Sequence, residues 1–325
     1  MMMMMMMMMM MMMMMMMMMV NSLRIGDLGG TKVLVKLNMS GVNPVDTYLR
    51  SGQYARLPTL PYVPGKDGSG LVHAVGANIS KFKVGDRVFC SQTVPSGTLG
   101  QFTAMDETHV FQLGDRLSFE QGAAIGIPYF TAFRALFQKI RLQLKMRILM
   151  QGVASGRNLF QVPILENEGM YVTGTAGTQE GMDLVKAQGA DMVYNHREKS
   201  YLNQIQDGEK FDVILEMLAN INLDHDLTLM NPRGRTVIIG SRGTVNIDPR
   251  HLMGPETSIV GVGLLTATPS EWQELTNAIV KGISAGWVKP VINKVYNLDQ
   301  AFQAHDDIIN NKGAKGNLVV NVKGK

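Results

Sequence analysis

The residues whose types and spacing point to chemistry lie between Arg147 and Gly177. Arg147-Ile148-Leu149-Met150 is a short apolar run, and Gly152-Val153-Ala154-Ser155-Gly156 follows it as a turn of small residues. After a segment of helical length, Met170-Tyr171-Val172-Thr173 leads into Gly174-Thr175-Ala176-Gly177. Strand, glycine turn, helix and second strand within roughly 30 residues form the unit that seats a dinucleotide pyrophosphate on a helix N-terminus. Small side chains let backbone N–H groups approach the phosphate oxygens. The second strand ends in Thr173, Gly174 and Thr175, without the Asp or Glu that binds a ribose 2′-hydroxyl. Lack of that negative charge favours a cofactor phosphorylated at the 2′ position.

Other reactive side chains are few. Cys90 is the single cysteine, so the chain forms no internal disulfide and no Cys-rich zinc site, and it suits a reducing compartment. Of the six histidines, the five other than His196 show no metal-like spacing and read as structural. The formal charge of +4 is spread without a block of like charges, the pattern of an ordinary surface rather than of a nucleic-acid stripe. Residues 1–19 are all methionine, account for most of the 29 Met, and carry no pattern to interpret. They lack the basic start and small-residue cleavage site of a signal peptide, and nothing after them anchors a membrane span. No other long apolar run exists, so a soluble, cytoplasmic chain is expected.

The elements that must hold the turn divide the 325 residues into two textures. From Lys32 to about Phe111 the signals are strands and turns: Lys32 to Leu37 alternates, Gly41-Val42-Asn43-Pro44 reads as its stop, Ser69 to Val75 is a strand, and Val84 to Phe89 is a turn feeding another. Phe119 to Gln138 then carries apolar residues at helical spacing around Gly126-Ile127-Pro128. Beyond it strand and helix alternate: a helix over 178–188, and strands at 192–194, 211–216, 236–239 and 258–262. β-Branched runs separated by helices imply a parallel sheet covered on both faces, with ligands beyond the C-terminal strand ends. The predicted fold class is therefore α/β, a doubly wound Rossmann sheet beside a mostly-β domain. The tail predicts helices over 270–285 and 298–310 and a last strand, Leu318 to Val322, that rejoins the first domain.

Motifs in register from about Lys32 to Val322 carry a family resemblance. Gly41-Val42-Asn43-Pro44-Val45-Asp46-Thr47-Tyr48, Pro64-Gly65-Lys66-Asp67, Gly85-Asp86-Arg87-Val88 and the run Gly122 to Ala132 resemble the medium-chain dehydrogenase/reductases. Gly174 to Thr178, Tyr194 to Glu198, Glu216 to Asn220 and Ile239 to Thr244 are similar to its zinc-free quinone oxidoreductase branch, which includes the zeta-crystallins. The resemblance implies a GroES-like catalytic domain over 1–120, an NADP-binding Rossmann domain over 121–266 and a returning tail over 267–325. It implies reduction of quinones with NADPH, with enone or alkenal reduction on the same scaffold as the alternative. A non-catalytic role as an eye lens protein and binding of AU-rich RNA are the other expectations of this branch, the second without a basic stripe to support it. A homo-oligomer, dimer or tetramer, through the segment Ser258 to Leu264 is also implied.

By the same resemblance Asn43 and Tyr48 lie near the nicotinamide, with the Tyr48 hydroxyl offered to cofactor or substrate, and Thr131 packs near the same ring. Cofactor contacts fall on Ala154, Ser155, Gly156, Arg157, Gly177, His196, Asn222, Ile239, Gly240, Ser241, Arg242, Val262, Gly263 and Leu264. His196 with Arg197 neighbours the 2′-phosphate. Zinc members place Cys, His and acidic ligands where this chain has Asn43, Asp46 and Lys66-Asp67, so no metal is expected. One departure stands out. The family loop reads Ala-Ser-Gly-Gly-Val-Gly after its first glycine, whereas this chain reads Val153-Ala154-Ser155-Gly156-Arg157-Asn158. Pro163 also falls where the helix should run, at a cost of about 3 kcal/mol. Either the cofactor grip is weakened or these residues are misread, and the intact motifs on both sides favour misreading.

Overall fold

The computed structural model describes residues 26–54, 56–92, 97–140, 142–153, 165, 169–198, 201–206, 210–310 and 315–323. The chain forms two compact units. One comprises Met1–Gly126, Lys294–Asn311 and Leu318–Lys325; the other comprises Ile127–Asn293 and Lys312–Asn317.

In the first unit the alternation after Lys32 folds as β1 (Lys32–Val42), which buries Val33, Val35 and Leu37 and exposes Lys32 and Lys36. The strand runs past Gly41, which the sequence reads as part of a stop. A Cβ at Gly41 would lie 2.1 Å from the Ala123 carbonyl oxygen, so this glycine serves a close approach and not a chain reversal. The break comes at Pro44, the first residue of helix α1 (Pro44–Arg50). Next come β2 (Gly68–Val75), β3 (Arg87–Cys90), β4 (Phe102–Asp106), β5 (Val110–Gln112) and α2 (Phe119–Ala123). α2 is opened by Ser118, whose side chain accepts from the Gln121 N–H.

The second unit opens one residue into α3 (Gly126–Phe133), at Ile127, and the helix passes into a π-helical turn over Arg134–Ile140. Strands and helices then alternate: β6 (Arg147–Met150), β7 (Tyr171–Ala176), α4 (Gln179–Ala187), β8 (Met192–Asn195), α5 (Tyr201–Gln206), β9 (Phe211–Glu216), α6 (Ala219–Asp226) and β10 (Met230–Ile238). α7 (Arg250–Met253), β11 (Ser258–Gly261) and α8 (Pro269–Ala285) complete it. The six strands lie in the order β8-β7-β6-β9-β10-β11, and every pair is parallel. Renumbered within the sheet this is 3-2-1-4-5-6, the doubly wound dinucleotide-binding order. Ile148, Met150, Val172, Val213, Leu215 and Val237 form its buried centre.

The return to the first unit begins at Lys294 and not at residue 267, since α8 belongs to the second unit. β12 (Ile292–Asn297), α9 (Ala301–Asn310) and β13 (Asn317–Asn321) follow. β13 pairs antiparallel with the far half of β1, from Met39 with Asn321 to Val42 with Leu318. The first unit's sheet thus reads β12-β13-β1-β2-β3-β5, with β4 also on β1. Among the described residues, no helix is long and apolar enough to cross a membrane.

Candidate functional site

In the second unit's sheet the connections leave β6 and β9 towards opposite edges, which opens a crevice beyond their C-terminal ends. Gly152, just past β6, has φ +62°, a conformation that glycine adopts without a Cβ penalty. Its N–H donates to Thr175 Oγ1 at 2.9 Å, and the Val153 N–H donates to the Thr175 carbonyl at 2.8 Å. The first glycine of the phosphate turn is therefore tied to β7. Ala154, Ser155, Gly156 and Arg157, together with Asn158 and Pro163, lie outside the described residues.

At the end of β7 the buried residues Thr173, Gly174, Thr175 and Ala176 offer no carboxylate. A Cβ on Gly177 would lie 2.8 Å from His196 Nε2 and 2.9 Å from Arg197 Nε. The two side chains reach in from the end of β8 and close over the glycine. His196 Nδ1 sits 3.3 Å from Thr175 Oγ1. Partial burial, and then the charge on Arg197, hold the imidazole below its ordinary pKa, so it is neutral at physiological pH. The guanidinium is the standing positive charge of this corner.

A second corner lies at the ends of β9 and β10. The Glu216 carbonyl accepts from the N–H groups of Ile239 (2.9 Å) and Gly240 (3.3 Å). A Cβ on Gly240 would lie 2.5 Å from the Met217 carbonyl oxygen, so glycine is what lets these loops touch. Asn222 Nδ2 donates to both Glu216 carboxylate oxygens at 3.2 Å, and the Leu218 N–H donates to Glu216 Oε1. The Arg242 N–H donates to Asn220 Oδ1 at 2.8 Å, and the exposed Ser241 donates its hydroxyl to the Gly243 carbonyl. Val262, Gly263 and Leu264 continue from β11, with the Val262 N–H bonded to the Ile238 carbonyl at 3.2 Å. The structure thus brings Gly177 to His196, and Asn222 to the Glu216 carboxylate, while the backbone carbonyl of Glu216 holds Ile239 and Gly240 and Asn220 meets Arg242. Glu216, whose carboxylate holds Leu218 and Asn222 and whose backbone carbonyl holds Ile239 and Gly240, was given no role by the sequence pattern.

In the first unit, Asn43 caps α1. Its N–H donates to Asp46 Oδ2 at 2.9 Å, and its Nδ2 donates to Asp67 Oδ2 at 2.8 Å. Asp67, wholly buried, also accepts from Ser91 Oγ at 2.6 Å, and its carbonyl accepts from Thr98 Oγ1 at 2.7 Å. Asn43 is only 3% exposed, so its amide nitrogen is committed to this buried knot. Tyr48 is half-buried on α1, and its carbonyl accepts from the Gln53 N–H at 2.8 Å. In the second unit Thr131 is half-buried on α3, beside Phe130, which packs edge-on against Trp272.

Two family profiles cover these two textures. "Alcohol dehydrogenase GroES-like domain" matches residues 29–118, and "Zinc-binding dehydrogenase" matches residues 159–281. A human quinone oxidoreductase is 46% identical over 292 residues, spanning 89% of this chain and 88% of that protein. The chain belongs to the quinone oxidoreductase family of medium-chain dehydrogenase/reductases. The crystal structure of Escherichia coli quinone oxidoreductase complexed with NADPH superposes with TM-score 0.82 at 25% identity, covering 92% of this chain and 94% of that one. An NAD-dependent alcohol dehydrogenase shares the fold with TM-score 0.85 at 23% identity, over 93% and 95% of the two chains.

The second profile's description raises zinc, and the donor set does not suit it. Cys90 is fully buried, points its thiol at the Gly68 carbonyl (3.4 Å), and is pushed far above the ordinary thiol pKa by burial and then by Asp67. A thiol so held does not yield the thiolate that zinc takes. Both carboxylate oxygens of Asp67 already accept hydrogen bonds, and an asparagine and a lysine stand at the neighbouring positions. Among the described residues, no group of three His, Cys, Asp or Glu is placed to hold a metal ion.

Proposed function

We propose that this member of the family reduces quinones with NADPH. The reading is carried by His196 and Arg197 closing over Gly177 at a strand end that has no carboxylate. A 2′-phosphate meets a permanent guanidinium and an imidazole there, and no acid repels it. NADPH, when bound, supplies the electrons. Arg197 pairs with the phosphate, and His196 adds a hydrogen bond. Asn222 and the loop of Ile239, Gly240, Ser241 and Arg242 take the nicotinamide half, and Val262, Gly263 and Leu264 extend that contact. Ala154, Ser155, Gly156 and Arg157 are assigned the pyrophosphate by their place after Gly152. Asn43, Tyr48 and Thr131 keep the roles that the resemblance gives them, with the Tyr48 hydroxyl hydrogen-bonding acceptor or cofactor. A quinone fits a site of this kind because its reduced oxygens take protons from water and need no strong general acid.

On this reading the first unit is the catalytic domain, the second the NADP-binding domain, and the protein is a homo-oligomer paired through β11. Parallel fluorescence titrations with NADPH and NADH test the cofactor, and turnover of an ortho-quinone against an alkenal tests the acceptor. NADPH should bind at least ~10-fold more tightly, as the loss of one charge-assisted bond implies. Equal affinities would overturn the cofactor assignment. Alkenal turnover without quinone turnover would favour the enone reductase alternative.

A further inference from the structure

We infer that Glu216 is a positioning residue for the loops beyond β9 and β10, and that it is held in place by a proton carried on Asp226. The inference rests on the NADPH reading of those loops. Glu216 is fully buried at the end of β9, and β6 and β9 flank the point where the strand order reverses. An ionised carboxylate only accepts hydrogen bonds, and this one takes the Leu218 N–H and Asn222 Nδ2. Its own carbonyl takes the Ile239 and Gly240 N–H groups. One residue therefore anchors both cofactor-side loops from beneath.

Asp226, on the last turn of α6, is also fully buried and lies against Glu216. Its Oδ1 accepts from Gln151 Nε2 at 3.0 Å, whereas its Oδ2 has no donor. Two ionised carboxylates in contact away from water repel strongly, and one shared proton removes both the repulsion and the empty Oδ2. The proton belongs on Asp226, because Glu216 already has donors that stabilise its charge. Burial, followed by Glu216 itself, drives the Asp226 pKa well above the carboxylate range. The groups facing the pair are Gln151 from the end of β6, Thr175 from β7, which donates to Gln151 Oε1 at 3.0 Å, and Tyr201 from α5. Burial, then Asp226 and Glu216, push the Tyr201 hydroxyl up to about 12. His196 reaches the network through Thr175 and is neutral. No cation stands among these named neighbours to stabilise a doubly ionised pair. Protonated Asp226 donates to Glu216, the Glu216 carboxylate grips Leu218 and Asn222 in the turn after β9, and loss of the proton at high pH releases that grip, while the backbone carbonyl keeps the β10 side in place.

The test is NADPH titration of the full-length protein at pH 6.5, 7.5, 8.5 and 9.5, with Asp226→Asn and Glu216→Gln beside the wild type. In D226N the amide nitrogen donates to Glu216 at every pH, while the amide oxygen still accepts from Gln151. Wild-type affinity should fall about 10-fold across the range, as expected for the loss of one hydrogen bond to a charged group, and the D226N profile should be flat. E216Q, which replaces one acceptor by a donor, should bind NADPH about 10-fold more weakly at pH 6.5. A purely structural Asp226 would alter thermal stability without altering the slope. A wild-type profile that is flat, or one that D226N reproduces, overturns the inference. Failure of the wild type to bind NADPH at any pH would instead defeat the cofactor reading. Amide exchange of Leu218, corrected for its intrinsic rate, then decides the anchor in the ligand-free protein: acceleration with pH in the wild type but not in D226N supports it, and identical behaviour rejects it.

Discussion

Single side chains decide cofactor choice, and Arg197 and His196 contribute in different ways. Arg197 offers a planar guanidinium that matches a phosphate, whereas burial and that neighbouring guanidinium hold His196 neutral until the solution is acidic. At pH 7.5, Arg197→Ala should weaken NADPH about 10- to 100-fold while leaving NADH nearly unchanged, the range expected for a charge-assisted phosphate contact. His196→Ala should cost less at that pH. As the pH falls well below the ordinary imidazole range, wild-type His196 gains its proton and adds a positive charge to that of Arg197, so the penalty of the histidine variant grows; a titration series carried from pH 7.5 to well below 6 reads this directly. Loss of NADPH and NADH binding in equal measure would place the phosphate elsewhere. The sequence exposed this corner through what it lacks, an acidic residue after Thr175. It concealed Asp67, because a lone carboxylate shows nothing of the Asn43 amide and Ser91 hydroxyl that fold onto it.

The elements with strong periodicity were the legible ones. The helix expected over 270–285 is α8, opened by Thr268, whose hydroxyl accepts from the Glu271 N–H (3.2 Å) while Glu271 Oε2 accepts from the Thr268 N–H (2.8 Å). Thr268→Ala should lower stability by about 1 kcal/mol in denaturant melts. Less legible was what a helix would bury. His305, on α9, is 1% exposed with no partner on either ring nitrogen, a setting that helical spacing alone cannot reveal. Burial, and then the charge on Arg50, lower its pKa from the ordinary 6.5 to about 4. Between those values the unfolded chain holds a proton that the folded chain refuses, so stability is intact above about pH 6.5 and falls as the pH drops towards 4. The loss is at most about 3 kcal/mol for a shift of this size. Thermal midpoints of the wild type should fall over this window, and those of His305→Leu should fall less. Parallel slopes for the two would show that His305 does not titrate there. The pairing of Glu216 with Asp226 was illegible for a related reason: it joins a strand end to a helix end, and neither position breaks the local pattern.

At the scale of the whole molecule, each unit's sheet has a different problem at its edges. The first unit closes on itself late in the chain, because β13 enters between β12 and β1 and buries Leu318 and Val320. The second unit leaves β11 at an edge, with half-buried Ile259 and Val260 on the strand and exposed Met253 and Leu265 before and after it in the chain. An open strand edge flanked by apolar residues invites another strand. The Val262 N–H points inward to the Ile238 carbonyl, and backbone directions alternate along a strand, so the Gly261 N–H points away from β10. A Cβ at Gly261 would meet nothing within 4 Å, so a side chain fits there within the chain itself. Gly261→Pro removes one outward donor and leaves the inward bonds to β10 in place. If copies of the protein pair through β11, this variant should sediment at about half the wild-type mass or dissociate at micromolar concentration, with its NADPH titration within about 3-fold of the wild type, the scatter expected for a surface change of ±0.5 kcal/mol. An unchanged sedimentation profile would move the oligomer contact off this edge.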